Sequence, residues 1–376
     1  MTAQMASEST VEADGVVDVG QGIVDIQRDG KSVIRGIEEF YSTNDINYGV
    51  VSESLAAFLF FNGITLKYVA AMIAEKKFQY LYEEITKDWQ ANVEDDNEIA
   101  IQHDWATKGY KITMVIYWLL PINAVLFCTM PAVVPNLLNI ILPGDTIYNK
   151  TRIVEVEYFI ISEEQYWFLF THCLLSLLAV MNILTAIDGT YVNCIHHVIG
   201  LIRITCYRLT NTVKNMNDSL KGMTHESESY YYNQIVDVIK LHQKCIRFAN
   251  FIEIAYSKIF FAVTVFYLIG FGTYAINLVF SLHQPLLFIK FMVGFIGAAF
   301  YMFFYFWPGQ KLLDSSDELF NSICQCQWYK LTTKLKFLIS FMMLRSTVPF
   351  RLTAGPMIEM NFRNVFLVKL FFYSFA

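Results

Sequence analysis

The stretch Ile259–Leu282, IFFAVTVFYLIGFGTYAINLVFSL, contains no charged side chain. A helix of roughly 20 apolar residues crosses the ~30 Å hydrocarbon core of a bilayer, where its backbone polar groups are satisfied internally. Further runs of this kind fill the chain. Leu286–Trp307 follows after a short SLHQP turn, and its one charge, Lys290, is expected near the outer end, where a long side chain can snorkel. Ile112–Leu142 is uncharged and interrupted by Pro121, Pro131 and Pro135, while Trp167–Ile187 ends at Asp188. Val51–Ala74 is weaker, with Glu53, Asn62 and Lys67, yet its LAAFLFFNGITL is too apolar for water. Asn364–Ala376 would rise only about 20 Å, a half-span. Composition agrees: 55% of the residues are hydrophobic and 16% charged, against roughly 25% charged in a soluble domain. The chain reads as an all-α, polytopic membrane helical bundle.

The loops orient it. Lys76, Lys77, Lys87, Lys108 and Lys111 lie between the first two spans; Arg203, Arg208, Lys240, Lys244 and Arg247 are among the bases between the third and fourth. Lys311, Lys330, Lys334, Lys336, Arg345 and Arg351 follow the fifth, and the alternate loops hold only Lys150 and Arg152. Basic loops stay inside, so the first visible span enters the cell and the C-terminus points outward. An outward N-terminus sits awkwardly behind the polar, acidic residues 1–50, which contain no span and no signal peptide. Two readings of that segment stand: a beginning that lacks one span, or a disordered tail. A net charge of −6 leaves no nucleic-acid footprint, and seven cysteines do not make a disulfide framework.

The intracellular segments are patterned as an anchor region. Phe78, Leu81, Ile85 and Trp89 recur at helical spacing, which predicts an amphipathic helix over 76–90. The polar stretch NTVKNMNDSLKGMTHESESYYY reads as a loop. A helix over 233–258 should run unbroken into the charge-free span as one rod. A third, 316–345, carries Phe320, Cys324, Trp328, Leu331, Leu335, Leu338 and Met342 on one stripe, with Asp314, Ser315 and Ser316 as N-cap candidates and Pro349 as its stop. That stripe either packs on the chain's own helices or joins subunits.

Little here would support catalysis, and no cofactor is implied. His196 and His197 are adjacent and diverge on a helix; Cys324 and Cys326 lack the second pair of a zinc pattern. No Walker loop, G-x-S-x-G or H-E-x-x-H occurs. Asn149-Lys150-Thr151 is a glycosylation sequon in a loop assigned outside; Asn217-Asp218-Ser219 falls inside and should stay unmodified. Aromatics crowd the outer halves of the spans, among them Phe58, Phe60, Phe61, Trp167, Phe168, Phe170, Tyr274, Phe288 and Phe291. They either pack against lipid and core or, with Asn123, His172 and Asn277, line an apolar cavity of the kind that holds small ligands between bundle helices.

YFWPGQKLLDSSDELFNSICQCQWYK, Tyr305–Lys330, resembles the insect seven-transmembrane odorant receptor family, which carries a Pro-Gly-Gln followed by spaced Leu, Asp, Ser and Trp. Here these are Pro308, Gly309, Gln310, Leu312, Asp314, Ser316 and Trp328. RSTVPFRLTAG, Arg345–Gly355, is similar to the family's lead into its last helix, and FFYSFA resembles its terminus at Tyr373 and Ser374. The resemblance covers 51–376 and departs from the family in the absent first span and an early stop at Ala376. It implies an inverted topology relative to G-protein-coupled receptors and a four-subunit, odorant-gated, non-selective cation channel made with a shared co-receptor. The expected setting is the plasma membrane of an olfactory sensory neuron dendrite, and the expected ligand a small volatile odorant. The alternatives are a gustatory receptor of the same superfamily or a fragment of a rhodopsin-like receptor. Against the latter, no Asp-Arg-Tyr follows the third span and no Asn-Pro-x-x-Tyr occurs.

Site residues follow as expectations. Phe58, Phe61, His172 and Tyr274 would line the odorant pocket in the outer half of the membrane. Phe320, Trp328, Leu331 and Leu335 would anchor subunits, and Asn149 would carry glycan. On the last helix Val365, Lys369, Phe372 and Ala376 share a face. That face either lines the pore, with Phe372 as a hydrophobic constriction, or packs on a neighbour while Lys369 snorkels.

Overall fold

The computed structural model describes residues 48–91, 95–141, 153, 166–219, 225–282, 284–356 and 358–364. Helix α1 (Tyr48–Ile73) is followed at Ala74 by α2 (Glu75–Gln90), and α3 (Asp96–Ile141) returns antiparallel. Three rods follow: α4 (Tyr166–Ser219), α5 (His225–Phe280) and α6 (Pro285–Gln325). A 3-10 turn (Trp328–Lys330) leads to α7 (Thr333–Ser346), then to a minimal antiparallel hairpin, β1 (Thr353–Ala354) with β2 (Ile358–Glu359). Among the described residues five helices, α1 and α3 to α6, are long and apolar enough to cross a membrane. The expected all-α membrane bundle is what the chain forms. Of the expected half-span 364–376, all but Asn364 lies outside the described residues, as do 1–47.

Length separates two regions. At 1.5 Å per residue the 56 residues of α5 extend about 80 Å, far beyond a bilayer core of about 30 Å. The surplus lies at the end where the basic residues gather, and there α2, α4, α5, α6 and α7 share one large core. Leu81, Val198, Ile202, Ile252, Leu312, Ile323, Leu335 and Ile339 are essentially fully buried in it. Asp88 of α2 clamps it, accepting from Lys244 of α5 and lying 3.0 Å from His197 Nε2 of α4. Burial alone would raise the Asp88 carboxyl; the bonds from His197 and Lys244 outweigh it and hold the group below its ordinary range.

The structure corrects several expectations. The polar stretch read as a loop is mostly helix: α4 continues to Ser219 and α5 starts at His225, with Glu226 and Glu228 favouring its N-terminus. Val213 and Met216, three apart, are buried, and that contact outweighs the polar neighbours in which they sit. The helix expected over 316–345 is two pieces. Asp314, Ser315 and Ser316 are no cap, because α6 passes straight through Pro308 and Gly309; Ser315 bonds back to Lys311 O at 2.9 Å. A reversal at Gln327, in the left-handed region at φ 51, then starts α7. Gly309 is needed for close approach, since a Cβ there would come 2.2 Å from Met360 O. Lys290 does not snorkel; it is 3% exposed and paired with Glu53.

The segment containing Leu352–Gly355 also finds a role. Glu253 of α5 accepts from the backbone N–H and hydroxyl of Thr353, and Gly355 N–H donates to Ser257 O at 3.0 Å. The hairpin is thereby tied to α5.

Candidate ligand-binding site

In the half of the bundle away from the basic end, α1, α3, α4, α5 and α6 enclose a cavity of about 130 Å³. An apolar cavity of about 150 Å³ is enough to take benzene. Phe60 and Phe61 of α1, Phe127 of α3, Met181 of α4, Phe271 and Tyr274 of α5 and Phe291 of α6 supply most of its wall. Small residues create the space. Without a Cβ, Gly294 admits the Tyr274 ring and Gly297 the Asn123 amide; an added Cβ would lie 2.6 Å and 2.3 Å from them.

An ion pair closes each end. At the end away from the basic residues Lys290 of α6 donates to Glu53 of α1, which lines the cavity. Toward the basic end Lys67 of α1 pairs with Asp188 of α4 and donates to the Tyr301 hydroxyl of α6 at 2.7 Å. Tyr301 in turn donates to Asp188 Oδ2 at 2.8 Å. The rings of Tyr301 and Tyr305 lie 5.4 Å and 5.3 Å from the Lys67 ammonium. Tyr301 stacks on Tyr267 with centroids 4.6 Å apart. Charges inside a bilayer are tolerated only when paired and hydrogen-bonded, and this network meets both conditions. The chamber between the two pairs is aromatic, with Asn123, Tyr267, Tyr274 and Tyr301 as its neutral polar groups. It suits a small neutral molecule.

Of the expected pocket residues, Phe61 and Tyr274 lie on this wall and Phe58 and His172 do not. Both of the latter are half-buried, and the Phe58 carbonyl accepts from Asn62 at 2.8 Å. Of the expected subunit anchors, Leu331 and Leu335 are buried in the chain's own core; Phe320 and Trp328 are half-buried. Asn149, Val365, Lys369, Phe372 and Ala376 lie outside the described residues. Among the described residues no group of three or more His, Cys, Asp or Glu could hold a metal ion. Sequence reading missed Met181, Phe266, Tyr267 and Tyr301. It also missed both ion pairs, whose signal was present as two acids and two bases within apolar spans.

The family model described as 7tm Odorant receptor matches residues 47–371. The chain belongs to this family. The resemblance seen around Pro308-Gly309-Gln310 is thereby borne out, and the chain is a multi-pass membrane protein of that family. It is 23% identical over 244 residues to putative odorant receptor 83c of Drosophila melanogaster, covering 60% of this chain and 59% of that one. With odorant receptor 63a of the same fly it shares 21% identity over 180 residues, covering 46% of this chain and 40% of the relative. The match thus spans less than two thirds of either fly receptor. The fold is similar to that of the insect olfactory receptor OR5 from Machilis hrabei in complex with eugenol. The TM-score there is 0.71 at 10% identity, over 95% of this chain and 85% of that one. A second structure of OR5 gives a TM-score of 0.64 at 11% identity, over 95% and 86%.

Proposed function

We propose that the chain is the odorant-binding subunit of a ligand-gated, non-selective cation channel, assembled as a heterotetramer with a shared co-receptor. The observation that carries this reading is the aromatic chamber between two neutralised ion pairs, in a chain of the odorant receptor family. Its size and lack of unpaired charge suit a small, neutral volatile, and an insect receptor of the same fold is seen with eugenol. Phe61 and Tyr274 are the residues we place against the odorant; Phe58 and His172 would act from outside the wall. The excess of Lys and Arg at one end supports placing that end in the cytoplasm. The chain would then lie in the plasma membrane of an olfactory sensory neuron dendrite, with glycan on Asn149. Phe320 and Trp328 would meet partner subunits, and Val365, Lys369, Phe372 and Ala376 would line the pore. Expression with and without the co-receptor, across an odorant panel, tests the reading. Odorant-evoked cation current only in the co-expressing cells supports it; none from well-expressed complexes over a broad panel rejects it.

A further inference from the structure

Beneath the odorant chamber, toward the basic end, lies a second cavity of about 180 Å³ between α3, α4 and α6. Leu120, Asn123, Gly297 and Tyr301 form a wall common to both chambers. Its mouth opens sideways between α3 and α6, where Ile122, Leu126, Ile296 and Phe300 are each between 43% and 53% exposed. On a membrane-spanning bundle that mouth faces acyl chains.

The lining is mostly apolar, with one carboxylate and several tyrosines set in it. Asp188 contributes a carboxylate with one oxygen bonded to Lys67 and the other to Tyr301. A carboxylate offers about four acceptor sites, so acceptor capacity remains. Tyr191 and Tyr305 are also on the wall; both are more than nine-tenths buried, and neither hydroxyl has a hydrogen-bond partner among the described residues. Unsatisfied hydroxyls are costly, and no bulk water relieves them within a bilayer. The recess therefore combines spare acceptor capacity, two unpaired hydroxyls and an apolar throat.

These features select a ligand class. Lys67 already balances Asp188, so an ammonium would bring an uncompensated charge into the membrane. An ether or ester offers Asp188 no donor. A hydroxyl can donate to the carboxylate and accept from a tyrosine. We propose that this recess is a second small-molecule site, separate from the odorant chamber, for a neutral alcohol or phenol whose hydroxyl docks by Asp188, Tyr191 and Tyr305. The apolar tail leaves between α3 and α6 into the bilayer. The site does not depend on the receptor reading above, and its test reads binding rather than current.

The full chain, reconstituted in lipid nanodiscs, is photolabelled with a diazirine derivative of 1-octanol, and the labelled peptides are mapped. Label should concentrate on 116–126 and 296–305. Excess 1-octanol should reduce it at least about tenfold, while methyl heptyl ether, equal in size but without a donor, should leave it, as expected for a site that hydrogen-bonds a hydroxyl. Ile296→Trp fills the mouth from its exposed side and should remove the protected label. Tyr305→Phe, which keeps the ring packing, should weaken protection by octanol without altering elution of the protein. Even labelling of all exposed helix faces, equal protection by ether and alcohol, or label confined to 53–63 and 266–274 would overturn the proposal.

Discussion

The basic end and the opposite half of this bundle are built from the same rods but packed by opposite rules. At the basic end α4, α5 and α6 present large aliphatic side chains and leave no room: Ile202, Ile252, Leu312 and Ile323 are fully buried. In the other half α6 presents Gly294, Gly297 and Ala298, α5 presents Gly270, and α1 adds Ala56 and Gly63, so two chambers open. Lys67, Asp188 and Tyr301 sit where one regime gives way to the other. Rigid anchor and hollow receptor are thus properties of side-chain size along continuous helices, not of separate domains.

The boundary should be the most sensitive point. Lys67→Met leaves Asp188 buried and unpaired, which should destabilise the chain by about 3–5 kcal/mol. Adding Asp188→Asn should recover most of that loss, read as the melting temperature of the purified complex. No recovery in the double variant would mean the pair does not act as a unit. Leu335→Ala removes a fully buried side chain from the anchor core and should lose about 2–5 kcal/mol. Its expression should fall while the odorant specificity of the surviving complexes stays unchanged. A shifted specificity would join the two regions that the comparison separates.

Asp88→Asn weakens the clamp between α2, α4 and α5, with an expected loss of about 1–3 kcal/mol. The same group sets a pH dependence. Its folded carboxyl lies below the unfolded value of about 3.9, so its stabilisation is complete above that pH and disappears as pH falls through the folded value. Thermal melts from pH 7 down to pH 3 should show wild type losing more stability than Asp88→Asn below about pH 4. Smallest of all should be the stability loss of Phe61→Ala, because its ring is only half-buried and borders the chamber. Its effect belongs instead in the odorant response.

Much of the first region was readable in the sequence. The charge-free run after Lys258 made α5 a continuous rod, and the spacing of Phe78, Leu81 and Ile85 made 76–90 an amphipathic helix; in the fold its Phe78 ring lies tilted on Tyr256 of α5 with centroids 5.0 Å apart. The chambers were less legible because their determinants are distant in sequence. Lys67 and Asp188 are 121 positions apart, and Lys290 and Glu53 are 237 apart. Taken singly, Lys67 weakens a span, Asp188 ends one and Lys290 sits near a rim. Their equal and opposite charges inside apolar helices were the available signal, because a bilayer forces such groups to find one another. Tyr274 and Phe61 were found by aromatic density alone. That criterion cannot tell which ring turns inward, and Phe58 and His172 fall off the wall for that reason. Ser315 and Ser316 misled for a similar cause: cap-forming residue types also serve mid-helix, where Ser315 bonds back to its own turn and Ser316 accepts from Phe350 N–H at 3.1 Å.

The central claim is that the chamber between the two ion pairs is where odorant is read. Ala298 lines that chamber and not the one beneath it, so Ala298→Leu adds three carbons to the odorant chamber alone. The variant is expressed with the co-receptor, and dose–response curves are recorded for a homologous odorant series graded by size. The account predicts that the largest active odorants lose about tenfold or more in potency while the smallest keep theirs. An unchanged rank order and unchanged potencies, from complexes expressed at wild-type level, would contradict it.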